Sequence, residues 1–131
     1  MSDTGIRVST QGHIGIIELA RGPHNYFDDV MIGAIAATCE AFEADSAVRV
    51  IVLCAEGKSF CAGANFGGPN NVTAERSPRQ VNPIYNEALR LFACTKPIVC
   101  AVQGPAIGGG LGLALVGDFR VGCAKARFSA N

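Results

Sequence analysis

The chain has 131 residues, enough for one domain, and 49% of them are hydrophobic, so a disordered protein is excluded. Eleven basic side chains balance eleven acidic ones, and this composition lacks the positive excess that a nucleic-acid-binding surface requires. The absence of Trp and an aromatic content of 7% also argue against a platform for stacking bases.

The N-terminal third predicts a β-hairpin followed by a helix. Alternating and β-branched residues indicate strands at residues 7–10 and 13–19, joined by a turn at Gln11 and Gly12. Asp28 is a suitable N-cap for a helix over Asp29–Ala44, in which apolar residues recur at helical spacing.

The middle of the chain predicts a parallel sheet. Residues 48–56 are almost continuously apolar, which is typical of a strand covered on both faces in an α/β protein. Residues 57–83 are rich in Gly and Asn without periodicity, and a loop of this length is usually functional or mobile. A helix at residues 84–94, a strand at Ile98–Val102 and another strand at residues 119–123 continue the alternation.

Residues 98–117 carry no charge over twenty positions, the length of a membrane span, and include the Gly108-x-x-x-Gly112 spacing of packed membrane helices. Gly104 and Pro105 divide this segment into a β-branched run at residues 98–102 and a helical run at residues 107–117, each too short to cross a bilayer. A buried strand followed by a buried helix is therefore the better interpretation, and no membrane contact is expected.

The six cysteines form no C-x-x-C pair, and neither His13 nor His24 lies at metal-ligand spacing from them. Most of them lie in apolar runs, where Cys acts as a small hydrophobic residue. The N-terminus has no apolar signal region. We therefore expect free thiols, no metal site and a cytoplasmic, reducing location.

Three successive glycines, Gly108 to Gly110, begin the last predicted helix, although each costs about 1 kcal/mol relative to Ala. The segment fits neither the G-x-G-x-x-G pattern nor the P-loop pattern. Bare backbone N–H groups there would let a ligand oxygen approach closely, and a carbonyl that becomes negative would make this an oxyanion site. Close packing of the helix is the alternative reason for the glycines. The glycine-rich turn at residues 59–68 also follows a buried strand and would supply a second donor at the same sheet edge.

The segments "KSFCAGANF" and "PAIGGGLGLALVGDFRVG" resemble the two signatures of the crotonase, or enoyl-CoA hydratase/isomerase, family, and "IELARGPHNYFD" is also similar to the family's pattern. The resemblance covers essentially the whole chain and corresponds to the N-terminal half of family members. It implies an α/β fold, the N-terminal portion of the crotonase-like ββα spiral, with the C-terminal helical trimerisation region not present in the chain. Residues 1–131 would then form an incomplete acyl-CoA-binding core, a fragment of a longer chain, and the full-length family form would be a homotrimer or hexamer.

By this resemblance the catalytic groups are the backbone N–H groups of Ala64 and Gly109. They would hold the thioester carbonyl oxygen of an acyl-CoA or enoyl-CoA and stabilise its enolate. The coenzyme enters only as part of the substrate, and no other cofactor is implied. Arg21 and His24 are candidates for contact with its phosphates. The implied substrate-binding positions are His24, Asn25, Ala62, Gly63, Asn65, Phe66, Gly108 and Gly112.

The sequence departs from the family's hydratases in its acid–base groups. Those enzymes use two glutamates to activate and deliver water; the first falls on Gly112 here, and the second would lie just after Asn131. The implied function is therefore either an acyl-CoA thioester-processing enzyme, with the reaction left open between hydration, isomerisation and related chemistry, or a non-catalytic acyl-CoA-binding or assembly module without those glutamates. We expect the 131-residue chain alone to show no appreciable hydration of crotonyl-CoA.

Three further side chains were weighed for roles in chemistry. Glu87, on the helix after the long loop, is a candidate for lining the acyl pocket. Asp118 more naturally ends the preceding helix or contacts a neighbouring element. Cys61 is disfavoured as a nucleophile because no His lies near it in the sequence.

Overall fold

The structure is a computed structural model that describes residues 3–65 and 83–130. Strands and helices alternate along most of the chain, as the sequence predicts. In chain order the elements are β1 (Ile6–Gln11), β2 (Ile14–Leu19), α1 (Asp29–Ala44), β3 (Val50–Ala55), α2 (Pro83–Phe92), β4 (Ile98–Val102), β5 (Pro105–Ile107), α3 (Gly109–Leu115), β6 (Phe119–Gly122) and β7 (Arg127–Ser129).

Five strands form the main sheet, in the order β1-β2-β3-β4-β6. The β1–β2 hairpin is antiparallel, and every other neighbouring pair is parallel. Parallel neighbours need crossover connections, and α1 lies between β2 and β3 while α3 lies between β4 and β6. A separate parallel pair, β5 and β7, stands beside the main sheet. The mixed α/β class expected from the sequence is confirmed.

Helix α1 is fixed at both ends and covers one face of the sheet. The Asp28 carboxylate accepts a hydrogen bond from the Met31 N–H at 2.9 Å, which confirms Asp28 as the N-cap. At the other end, the Lys96 ammonium donates to the carbonyl oxygens of Phe42, Asp45 and Val48, each at 2.6 Å. This cation lies at the carboxyl end of α1, where the helix dipole favours positive charge, and ties that end to the segment that leads into β3.

The core lies between the main sheet and the helices. Fully buried side chains come from β2, β3 and β4 on one side and from α1 on the other, and they include Ile17, Leu19, Met31, Ile35, Ile51 and Cys100. Phe60, which follows β3, is also fully buried and extends this core toward the carboxyl ends of the strands. The turns after β3 and β4 are thus anchored on a packed base.

The structure corrects the sequence interpretation in the glycine-led segment. The predicted helical run began at residue 107, but Pro105–Ile107 forms strand β5 and pairs with β7, and α3 begins only at Gly109. Neither short strand was predicted, because three residues carry no usable periodicity. Within the described ranges, no helix combines the length and apolar character needed to cross a membrane.

Candidate active site

Two turns that follow neighbouring parallel strands meet at one edge of the sheet. The Cys61 N–H donates to the Pro105 carbonyl at 3.2 Å, and the Ile107 N–H donates to the Cys61 carbonyl at 3.0 Å. Cys61 and Ala106 therefore form a parallel bridge between the turn after β3 and the strand after β4. The convergence expected of these glycine-rich turns is present.

The three successive glycines each have a local structural reason. Gly108 has φ +56°, a backbone conformation that side chains rarely adopt. A Cβ on Gly109 would overlap the Phe27 ring. A Cβ on Gly110 would lie 2.7 Å from the Cys61 carbonyl carbon and closer still to its oxygen. Close packing therefore accounts for Gly110, while Gly109 remains exposed on its other side.

The loop before α1 joins the site through Phe27. Its N–H donates to the Gly63 carbonyl at 3.0 Å, and its carbonyl accepts from the Asn65 N–H at 2.8 Å. These bonds form a parallel bridge between Phe27 and Ala64. Because the Phe27 ring also covers Gly109, one residue lies beside both Ala64 and Gly109. This role of Phe27 was not predicted from the sequence, because no local pattern signals it.

The amides of Ala64 and Gly109 combine an open donor with at least partial exposure. In residues 3–65 and 83–130, no acceptor takes a hydrogen bond from either N–H group. The N–H groups of Gly63 and Gly110 also lack an acceptor in these residues, but those two glycines are buried, whereas Gly109 is exposed and Ala64 is half-buried. By contrast, the Ala62 amide donates to the His24 carbonyl at 2.9 Å, and the Gly108 amide donates to the Ser129 carbonyl at 2.8 Å.

The candidate substrate-binding residues in the first loop are held by the protein itself. Asn25 is fully buried; its amide nitrogen donates to the carbonyls of Glu56 and Ser59, and its oxygen accepts from the Arg21 N–H. His24 is exposed, and its Nδ1 lies 3.0 Å from the Ser59 hydroxyl oxygen. Of these side chains, the imidazole of His24 is the one that reaches solvent.

Arg21, the second candidate for phosphate contact, is engaged elsewhere. Its guanidinium lies 3.0 Å from the carboxylate of Asp28, the buried N-cap of α1. An arginine that pairs with a buried carboxylate binds a phosphate less readily, because the carboxylate would be left without its partner, at a cost in free energy. The structure therefore disfavours Arg21 and leaves His24 as the candidate in this loop.

Four predicted positions remain. Gly63, at φ +116°, forms the turn that presents Ala64. Gly112 is exposed, and a Cβ built on it would meet no atom of the described residues within 4 Å. Phe66 lies outside the described residues. Asn65 is half-buried, and its backbone N–H donates to the Phe27 carbonyl.

Two carboxylates weighed for chemistry lie away from these amides. Glu87 ion-pairs with Arg90, lies against Gly33 of α1 and is not among the described residues that line the apolar pocket beside Gly109. Asp118 accepts from the Ile98 N–H at 2.8 Å and joins α3 to the main sheet, in agreement with its expected structural role. Both carboxylates are thus engaged by partners within the protein.

The Cys61 thiol is unsuited to nucleophilic chemistry. Its side chain is fully buried, and burial raises the pKa of the thiol to about 11. In the part of the chain that the structure describes, no three His, Cys, Asp or Glu side chains cluster in a way that could hold a metal ion.

An apolar pocket of about 230 Å³ opens beside Gly109. It lies between α2, α3 and the start of α1. Tyr85 supplies the one phenol among the described lining residues, and the rest of the lining is aliphatic, aromatic or glycine. The described part of the site thus offers two open amides and a neighbouring apolar space, without a carboxylate between them.

The sequence of the chain is similar to those of known proteins. The family model described as enoyl-CoA hydratase/isomerase matches residues 9–131. The 1,2-epoxyphenylacetyl-CoA isomerase of Escherichia coli is 34% identical over 108 residues, which cover 79% of this chain and 41% of that protein. The probable enoyl-CoA hydratase of Rhizobium meliloti is 33% identical over 129 residues, covering 98% of this chain and 49% of that protein.

The fold comparison agrees. A crystal structure of enoyl-CoA hydratase subunit I from Geobacillus kaustophilus superimposes with a TM-score of 0.86 at 36% identity, over 95% of this chain and 48% of that one. The chain spans about half the length of the curated relatives that it matches, and it corresponds to their N-terminal half.

Proposed function

Because the chain belongs to the enoyl-CoA hydratase/isomerase family, we propose that it binds the thioester of an acyl-CoA and stabilises the enolate formed from it. The carbonyl oxygen would accept hydrogen bonds from the Ala64 and Gly109 amides. The observation that supports this most directly is that both N–H groups lack an acceptor in the described residues and that neither residue is buried, in two turns that Phe27 contacts through its backbone and its ring.

These amides would act on the charge that appears during the reaction. When the α-proton leaves, negative charge moves onto the thioester oxygen, and donors already aimed at that oxygen stabilise it without further reorganisation. One such donor typically contributes about 3 kcal/mol to lowering the barrier. The bonds among Cys61, Pro105 and Ile107 hold the two turns together and so limit the freedom of the donors.

The proton-transfer groups are not assigned among the described residues. Gly112 stands where the family's hydratases carry their first glutamate, and it supplies no carboxylate. This observation favours a second candidate, a module that binds acyl-CoA without turning it over. The cytoplasmic location, which the cysteines indicate, stays a prediction. The homotrimeric or hexameric state, which the resemblance implies, also stays a prediction.

Thermal unfolding with two matched ligands tests the binding proposal. A saturated acyl-CoA should stabilise the chain by about 2.7 kcal/mol at 100 times its dissociation constant. The S-alkyl thioether of CoA, which has the same chain but no carbonyl oxygen, should stabilise it less at the same concentration, because two hydrogen bonds are lost. Equal stabilisation by both ligands, or by neither, would refute the role of the two amides.

A second measurement separates the enzyme from the binding module. An enzyme that forms the enolate should exchange the α-protons of the bound saturated acyl-CoA for deuterium in D2O, and mass spectrometry detects that exchange. Binding with no exchange above the rate in free solution would show that these 131 residues bind the thioester without supplying the base.

A further inference from the structure

The apolar pocket beside Gly109 continues from the proposed oxyanion site. Gly109 borders both, so an acyl chain attached to a carbonyl held by its amide has the pocket as its nearest apolar space. The described residues that line it are Phe27, Ile32, Ile84, Tyr85, Ala88, Leu91, Phe92, Gly109, Gly112, Leu113 and Val116.

Small residues keep this pocket open. Ile32, Leu91 and Leu113 are almost completely buried and form fixed walls. Ala88 on α2 and Gly112 on α3 are the smallest lining residues besides Gly109. Among the described residues, no atom would lie within 4 Å of a Cβ built on Gly112. A larger side chain at position 88 or 112 would therefore occupy volume that now belongs to the pocket.

The charged residues of α2 are turned away from the pocket. Arg90 pairs with Glu87 on its own helix and with Glu40 on α1, at 2.8 Å for the latter. None of the described lining residues carries a charge. A carboxylate entering this space would lose its hydration without meeting a cation among the described lining residues, which is strongly unfavourable.

The volume sets the number of carbons that the pocket can shield from water. An apolar cavity of about 150 Å³ holds one benzene molecule, so 230 Å³ accommodates roughly nine carbon atoms. We infer that the acyl group is apolar and uncharged, and that Ala88 and Gly112 leave room for about nine of its carbons. This inference rests on the proposed function, because it requires the thioester carbonyl to lie at Gly109.

Calorimetric titration of the 131-residue chain with butyryl-, octanoyl- and succinyl-CoA tests the inference. Affinity should rise from butyryl to octanoyl by up to about fourfold for each added methylene group. Succinyl-CoA, whose acyl group ends in a carboxylate, should bind more weakly than butyryl-CoA. If all three bind equally, the inference is wrong while the proposed function stands; if none binds, both are wrong.

Two substitutions on α2 locate the effect. Ala88→Phe fills the pocket and should reduce the affinity for octanoyl-CoA at least tenfold, with a smaller loss for butyryl-CoA. Leu89→Phe adds an aromatic ring to the neighbouring position, which is 69% exposed and does not line the pocket, and it should leave both affinities unchanged. The same loss in both variants, or none in Ala88→Phe, would contradict the assignment. If Ala88→Phe fails to fold, the titration of the wild-type chain with the three thioesters still tests the inference.

Discussion

Two alanine substitutions in the same short helix should have opposite effects on stability. Gly110 and Gly112 are two residues apart in α3, and in each case Ala replaces a residue with poor helix propensity, a gain of about 1 kcal/mol. Only position 110 lacks space. A Cβ there would lie 2.7 Å from the Cys61 carbonyl carbon and 3.0 Å from the Cys61 Cβ, and it would overlap the carbonyl oxygen.

The cost at Gly110 follows from what must move. The overlapping oxygen belongs to a backbone that also accepts a hydrogen bond from the Ile107 N–H, so it cannot retreat as the end of a flexible side chain could. Overpacking typically costs about 1–3 kcal/mol, and a backbone obstacle places this case at the upper end or beyond. After the gain in helix propensity, Gly110→Ala should lose about 2 kcal/mol, whereas Gly112→Ala should gain up to about 1 kcal/mol.

Urea unfolding followed by far-ultraviolet circular dichroism measures both values. In thermal unfolding, 1 kcal/mol corresponds to roughly 3–5 °C for a domain of this size. The two variants should therefore differ in Tm by about 10 °C. If Gly110→Ala is as stable as Gly112→Ala, the two turns do not approach each other closely at Cys61, and the argument that Ala64 and Gly109 serve one site loses its support.

Three further predictions concern side chains around the site. Burial raises the pKa of the Cys61 thiol to about 11, so at pH 8 a thiol reagent should modify the exposed Cys123 first and reach Cys61 only in denaturant; rapid labelling of Cys61 in the native protein would contradict this. Asn25→Ala removes a buried side chain with three hydrogen bonds and should lower the free energy of unfolding, measured by urea titration, by about 2–4 kcal/mol. A loss below about 1 kcal/mol would be inconsistent with those buried hydrogen bonds. Lys96→Met removes the ammonium that binds three carbonyl oxygens at the end of α1; it should cost about 1.5–3 kcal/mol by the same assay, and an unchanged midpoint would argue against those contacts.

The parts of the fold that follow from local signals were predicted well. The bounds of α1 agree because Asp28 is a cap residue and the apolar spacing is regular, and β4 agrees because its β-branched run lies between prolines. Strands β5 and β7 were missed because each is three residues long and depends on pairing with the other, some twenty positions away. Such pairing leaves no periodic trace in either segment.

The candidate site was predictable in its backbone and less so in its side chains. Two glycine-rich turns after buried strands indicated where ligand contacts would gather, and those turns do bond to each other. The roles of Arg21 and Glu87 depend on partners distant in sequence, namely Asp28 for the first and the packing of α2 on α1 for the second. Phe27 was missed for the same reason, since its contact with Gly109 exists only in the folded chain.

Amide resonances report most directly on the central proposal, that the Ala64 and Gly109 N–H groups bind the thioester oxygen. In a ¹⁵N-labelled chain titrated with a saturated acyl-CoA, the amide proton signals of these two residues should move downfield as hydrogen bonds form. The thioether of the same chain length should leave both signals near their free positions. Matching shifts with the two ligands, or no shift at either amide with a thioester that demonstrably binds, would contradict the proposal.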